Sequence, residues 1–158
     1  MKYVVVATAL PSLVALASCA PRPFVRTDGP VTSDGVAVAL VGQRCEREPW
    51  DKYSDVLTLD MHVQVTNASA KALALAPKQV KLIARGYRGA PDQTAPDDID
   101  GPRTVAPGSS APLRLKFRRV GNARCNQEMQ LALDHAFALD GREVGFRPIA
   151  FLPERSDR

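Results

Sequence analysis

Between Val56 and Asn67 the chain alternates without a break. Leu57, Leu59, Met61, Val63 and Val65 are apolar, and Thr58, Asp60, His62, Gln64 and Thr66 between them are polar. Successive side chains of a strand point to opposite faces, so this period puts one face against a core and the other in water. No other segment constrains the fold as strongly, and no segment carries a helical period of useful length.

The remaining apolar runs agree with that reading. Val36-Ala37-Val38-Ala39-Leu40-Val41, ended by Gly42, is expected as a first strand with Cys45 just past its end. Leu73 and Leu75 resume the alternation after an Asn67–Lys71 turn, and Val80, Leu82 and Ala84 form the next set. Leu113, Leu115 and Phe117 alternate with Arg114, Lys116 and Arg118 after the turn pair Pro107-Gly108. Met129, Leu131, Leu133, His135, Phe137 and Leu139 share a parity that places them all, His135 included, on a core face. Asp140-Gly141 is a type I′ hairpin signal leading to Val144 and Phe146, then Ile149 and Phe151. The parity change at Arg147-Pro148 is expected to mark a bulge or an edge. Gly86 to Gly101, with Asp92, Asp97, Asp98 and Asp100 and only Tyr87 and Ile99 as sizeable apolar residues, reads as a long acidic surface loop. Seven or eight short strands divided by turns predict an all-β chain, a single antiparallel two-sheet β-sandwich.

From Asn67-x-Ser69 through Val105-Ala106-Pro107-Gly108-Ser109-Ser110 to the Leu-x-Leu-x-Phe strand, residues 56–118 resemble bacterial extracytoplasmic immunoglobulin-like domains. That resemblance implies adhesion, assembly or ligand-holding roles and transfers no catalytic residue. The chain departs from antibody domains, since Trp50 precedes the long strand and no Tyr lies two residues before Cys125.

The N-terminus gives an address. Lys2 precedes an apolar run from Tyr3 to Leu16, shorter than the roughly 20 residues a membrane-spanning helix needs, and Leu16-Ala17-Ser18-Cys19 closes it. This pattern resembles the lipobox of bacterial lipoproteins. The resemblance implies cleavage before Cys19, a lipid anchor on its thiol, and a protein tethered in the cell envelope facing the periplasm, with Ala20 favouring the outer membrane. On that reading residues 1–18 are a signal peptide, 19–30 a lipidated cysteine and proline-rich tether, and 31–158 the sandwich domain.

With Cys19 occupied by lipid, Cys45 and Cys125 are the cysteines left to pair in an oxidising compartment, with two free thiols as the alternative. The bond would close a loop of about 80 residues, for which the chain-entropy model gives roughly 4 to 5 kcal/mol. A metal or redox pair needs further ligands or a CxxC spacing, and neither occurs.

Charge alone does not decide the function. The net charge is +4 and the sequence pI about 9.2, which suits an anionic envelope, and the implied compartment removes nucleic acid as a partner. Asp60 and His62 share the polar face of one strand, but there is no nucleophile motif beside them, so a solvated face is favoured over a catalytic dyad. His135 is expected buried and hydrogen-bonded, and Met61 faces away from His62, so no metal site is expected. The Asp97–Gly101 segment lacks the spacing of a calcium loop, and Asn67-Ala68-Ser69 is read as a turn rather than a glycosylation site. Arg114, Lys116 and Arg118 form a basic stripe on one outward strand face, the candidate surface for an anionic partner, although the acidic loop could compensate it. Trp50 and Tyr53 are expected to cap one end of the core, with an exposed contact patch as the alternative. The functional expectation is a non-enzymatic, membrane-tethered binding or assembly module that docks on an envelope protein or anionic glycan and uses no cofactor. The alternative is an accessory carrier of a small ligand or metal.

Overall fold

A computed structural model describes residues 26–52, 55–85, 90–121 and 124–153. The expected signal peptide, Cys19, Tyr53, Tyr87 and Asn122 lie outside the described residues. In chain order the strands are β1 (Arg26–Thr27), β2 (Val31–Ser33), β3 (Val36–Pro49), β4 (Asp55–Asn67), β5 (Leu73–Leu75), β6 (Lys81–Arg85) and β7 (Pro91–Thr94). They continue as β8 (Asp98–Asp100), β9 (Thr104–Val105), β10 (Ser109–Gly121), β11 (Met129–Ala132), β12 (Phe137–Leu139), β13 (Arg142–Glu143) and β14 (Ile149–Leu152). A 3-10 turn at Pro77–Gln79 separates β5 from β6.

The three longest strands make the spine of one sheet, ordered β2-β3-β4-β10-β8 and antiparallel throughout. Its inward face carries the alternating residues of β4 together with Val36, Val38, Leu40 and Cys45 of β3 and Leu113, Leu115 and Phe117 of β10. The opposing layer is split into two ladders, β1-β14-β11-β6-β7 and β13-β12-β5-β9. Leu73, Leu82, Met129, Leu131, Phe137, Ile149 and Phe151 from these ladders join the same core cluster, as does Val144 just after β13. Each buried Leu or Phe stabilises the fold by about 1.5 to 3 kcal/mol relative to exposure, so this cluster is the main source of stability. The chain is therefore all-β and sandwich-like, as the alternation predicts.

The strand count exceeds the seven or eight expected, for reasons visible in particular residues. Gly42 does not end β3. A bulge between Leu40, paired with Val63, and Gly42, paired with His62, leaves Val41 outside the ladder and resets parity, so that Gln43 and Cys45 turn inward. Cys45 therefore lies within the strand. The acidic stretch expected to be loop contains β7, paired with β6, and β8, paired with β10. Both are polar edge strands without an apolar alternation to announce them.

Two apparent strands turn out to change ladders midway. Met129 to Leu139 divides into β11 and β12 across a turn in which His135 has φ of 59°. His135 is consequently exposed and not on the core face, although Leu133 and Phe137 on either side are buried. The parity change at Arg147-Pro148 is neither a bulge nor an edge within one strand. It is where the chain leaves β13 in one ladder and enters β14 in the other.

Turn chemistry fixes the hairpins. Asp140-Gly141, with φ of 52° and 76°, joins β12 to β13, and Asp34-Gly35, with φ of 48° and 76°, joins β2 to β3 in the same way. Both central residues of a type I′ turn need positive φ, which Gly adopts freely and Asp tolerates. The folded part also begins earlier than Val31. Arg26 and Thr27 pair with Leu152 and Phe151, and the Asp28 N–H donates to Ala150 O at 3.0 Å, so the tether loses its last residues to the sandwich.

Candidate functional site

Four strands of the first sheet, β3, β4, β10 and β8, place polar residues on one outward face. The cross-strand register sets them in rows: Arg44, Asp60, Lys116 and Asp98 in one, Gly42, His62, Arg114 and Asp100 in the next, and Glu46, Thr58 and Arg118 in a third. Directly opposed residues on an antiparallel pair lie about 4.5 to 5.5 Å apart, so the first row alternates positive and negative charge across four strands.

The stripe of Arg114, Lys116 and Arg118 is exposed, as its alternation with Leu113, Leu115 and Phe117 predicts. It is also compensated. Arg114 grips Asp60 with two nitrogens, Nε donating to Oδ1 at 2.8 Å and Nη2 donating to Oδ2. Lys116 faces Asp60 on one side and Asp98 on the other. Arg44 pairs with Glu46 at 2.9 Å. Arg44, Arg114, Lys116 and Arg118 are thus matched by Glu46, Asp60, Asp98 and Asp100 on the same face. Two of the residues that balance the stripe, Asp98 and Asp100, come from β8, inside the segment expected to be loop.

Electrostatics follow the geometry. The hydrogen bonds from Arg114 hold the Asp60 carboxyl below its ordinary range, with nearby Arg114, His62 and Lys116 charges acting the same way against partial desolvation. His62 lies opposite Gly42 in the register and remains exposed. Asp60 and His62 therefore share the face expected of them, but the carboxylate is committed to an arginine. A second His–carboxylate pair lies in the β11–β12 turn. Glu143 accepts from the His135 N–H at 2.9 Å and lies 2.7 Å from its Nδ1, and these bonds lower the Glu143 pKa.

At the far end of the face, Trp50 is 57% exposed, with the Arg118 guanidinium 5.4 Å from its ring centroid. Trp50 does not cap the core: β3 runs on to Pro49 and carries it past the last row of the sheet. An exposed cation–π pair of this kind contributes about 0.5 to 1 kcal/mol. Its partner in the expected patch, Tyr53, lies outside the described residues.

Cys45 and Cys125 form a disulfide, with Cα atoms 5.7 Å apart. It ties β3 to the segment that connects β10, in the same sheet, to β11 in the opposing layer. Among the described residues no group of three or more His, Cys, Asp or Glu side chains is placed to hold a metal ion.

Some structurally decisive residues are polar. Asn67 is fully buried: its Nδ2 donates to Lys71 O at 2.7 Å and Val105 O at 3.0 Å, while Oδ1 accepts from the Ser69 N–H at 3.1 Å and hydroxyl at 2.6 Å. Asn67 is thus the hub of its turn, and its burial leaves no room for a glycan. Arg119 follows the stripe in sequence but faces inward with Phe117. It pairs through Nη2 with Asp92 on β7 at 2.6 Å. The Asp-Gly signal at Asp34-Gly35 was available in the sequence, and so was the inward parity that Asn67 shares with Val65 and Arg119 with Phe117, although their polar side chains argue against burial.

Comparison with known proteins finds no matching family model, and no curated protein or solved structure of significant similarity.

Proposed function

We propose that this chain is a lipid-anchored, immunoglobulin-like envelope protein that serves as a non-enzymatic docking or assembly module. The observation that carries the reading is the division of its cysteines. Cys45 and Cys125 are joined to each other, which leaves Cys19 alone at the end of the Leu16-Ala17-Ser18-Cys19 lipobox. A buried disulfide suits an oxidising, extracytoplasmic compartment, the one a lipobox implies.

The outward face of β3, β4, β10 and β8 supports a protein partner over a polyanionic glycan. Its cations are already opposed by carboxylates, so little net field remains to attract a uniform polyanion. A face of alternating charges with an exposed Trp50 at one end suits a partner surface of matching pattern, where electrostatics select and the aromatic anchors.

The test follows the lipid and the partner separately. Labelled fatty acid should enter the wild-type protein and not Cys19→Ala, and the variant should leave the membrane fraction. Crosslinking from the envelope should yield one discrete protein partner, lost when Trp50→Ala is combined with Arg118→Gln. Incorporation of label into Cys19→Ala would overturn the anchor, and undiminished crosslinking of the double variant would remove the face from the account.

A further inference from the structure

The tether is short and joins the domain at one edge. We propose that the edge of the sandwich formed by β1, β14 and the bulge of β3 rests on the lipid surface, with Val41 and Leu152 at the level of the headgroups. This rests on the lipid-anchor reading of Cys19.

The first support is chain length. Because β1 begins at Arg26, only residues 20–25 separate it from Cys19. Consecutive Cα atoms advance at most about 3.6 Å, so the seven steps from residue 19 to residue 26 span no more than about 25 Å whatever their conformation. β1 is also firmly held: beyond its pairing with β14, the Asp28 carboxylate accepts from Arg147 Nη1 at 3.1 Å and from the Ala150 N–H at 3.4 Å. The lipid anchor therefore pulls on one edge of the sandwich. β7 occupies the other edge of the same ladder, four inter-strand gaps away, or about 19 Å at the usual spacing.

The second support is where apolar side chains are exposed. Among the described residues, Val41, Trp50 and Leu152 are the large apolar side chains left open to solvent. Two of the three belong to this edge. Leu152, 38% exposed, is the strand partner of Arg26 at the tether junction. Its carbonyl accepts from Gln43 Nε2 at 2.8 Å, which brings β3 against the same point two residues from Val41. Val41, 61% exposed, is the residue that the β3 bulge expels from the ladder. A bilayer surface is the one occupant that the tether already delivers to this edge, and apolar residues on an anchored protein settle at the boundary of headgroups and acyl chains.

The contact also orients the rest of the molecule. With this edge down, β8 and its end of the charged face stand toward the aqueous side, where a partner in the same membrane or in the periplasm can reach them.

The test uses the full-length lipidated protein reconstituted in vesicles of phosphatidylethanolamine and phosphatidylglycerol, with or without bromine on the upper acyl chain. The single native tryptophan is removed by Trp50→Phe, and a reporter is introduced as Val41→Trp, Leu152→Trp or, on the opposite side, Asp97→Trp. Brominated lipid should reduce emission from positions 41 and 152 by about twofold or more, as expected for side chains at the headgroup and acyl boundary, and leave position 97 unchanged. Vesicle flotation of the same proteins and of Cys19→Ala reports the anchor independently. Floating protein with positions 41 and 152 unquenched, or with position 97 quenched equally, would overturn the orientation while the anchor stands. Flotation of Cys19→Ala equal to wild type would overturn the anchor reading itself.

Discussion

The two ends of the long sheet are closed by opposite means. At one end Val36, Asn67 and Ser109 lie side by side, and the buried Asn67 side chain finds four partners, two donated to and two accepted from. At the other, Arg119 is only 9% exposed and spends Nη2 on Asp92, while its Nε and Nη1 find no hydrogen-bond partner among the described residues. Two rows further in, Cys45, Leu59 and Phe117 lie abreast, and there Cys45 is bonded to Cys125. A satisfied polar network closes its end without help, because an amide with all its groups paired rigidifies a turn. A buried guanidinium with idle donors costs stability, and the covalent bond offsets that at the same end.

The sharpest way to break this contrast is to cut the bond. Replacing Cys45 and Cys125 by Ala should lower unfolding free energy by about 4 to 5 kcal/mol on the chain-entropy model for a loop closed across 80 residues, measured by urea denaturation. A loss below about 1 kcal/mol would mean that the Arg119 end holds itself and the contrast is false.

At the opposite end, Asn67→Ala should cost about 3 kcal/mol, because it orphans the buried Val105 carbonyl and frees the turn that Ser69 and Lys71 close. Asn67→Asp should rescue little of this. It keeps the acceptor for Ser69 but turns a carboxylate toward two carbonyl oxygens.

Arg119→Met should change stability by no more than about 1 kcal/mol in either direction, since a buried ion pair replaced by an apolar side chain of similar reach is often neutral or better. Asp92→Ala should be the worse substitution, leaving the guanidinium with no partner among the described residues. The reverse order in a thermal melt would show that Arg119 contributes more than it costs.

The smallest effect belongs to the face between the ends. Arg114 depresses the Asp60 pKa, so any stabilisation from this pair is fully present above the unfolded carboxyl value, 3.8, and fades as pH falls through the lower folded value. Asp60→Asn should cost about 0 to 1 kcal/mol near neutrality, as surface pairs do, and the difference from wild type should shrink in acid. A difference that grows in acid would contradict the assignment.

What the sequence disclosed follows the same division. Alternation exposed β4 and β10 because each keeps one parity along its length, and it correctly placed Arg114, Lys116 and Arg118 outward. It misled at His135 and at Arg147-Pro148, where the chain changes ladders while its apolar spacing runs on or shifts. The polar edges β7 and β8 have no core face to mark them, so Asp98 and Asp100 looked like a loop when they are cross-strand partners of the stripe. Asn67 and Arg119 belong to residue types that usually stay at the surface. Both continue the inward parity of their strands, β4 and β10, so alternation carried to the strand ends points them at the core, but the partners that make burial tolerable come from strands distant in sequence, β9 and β7.

The account as a whole stands on how the three cysteines are divided, and an intact mass of the protein extracted from envelopes under alkylating conditions tests it directly. The expected species begins at Cys19, carries the mass of the attached acyl groups, and takes up no alkylating reagent because Cys45 and Cys125 are bonded. A species with two alkylated thiols, or one with an unmodified cysteine at position 19, would contradict it.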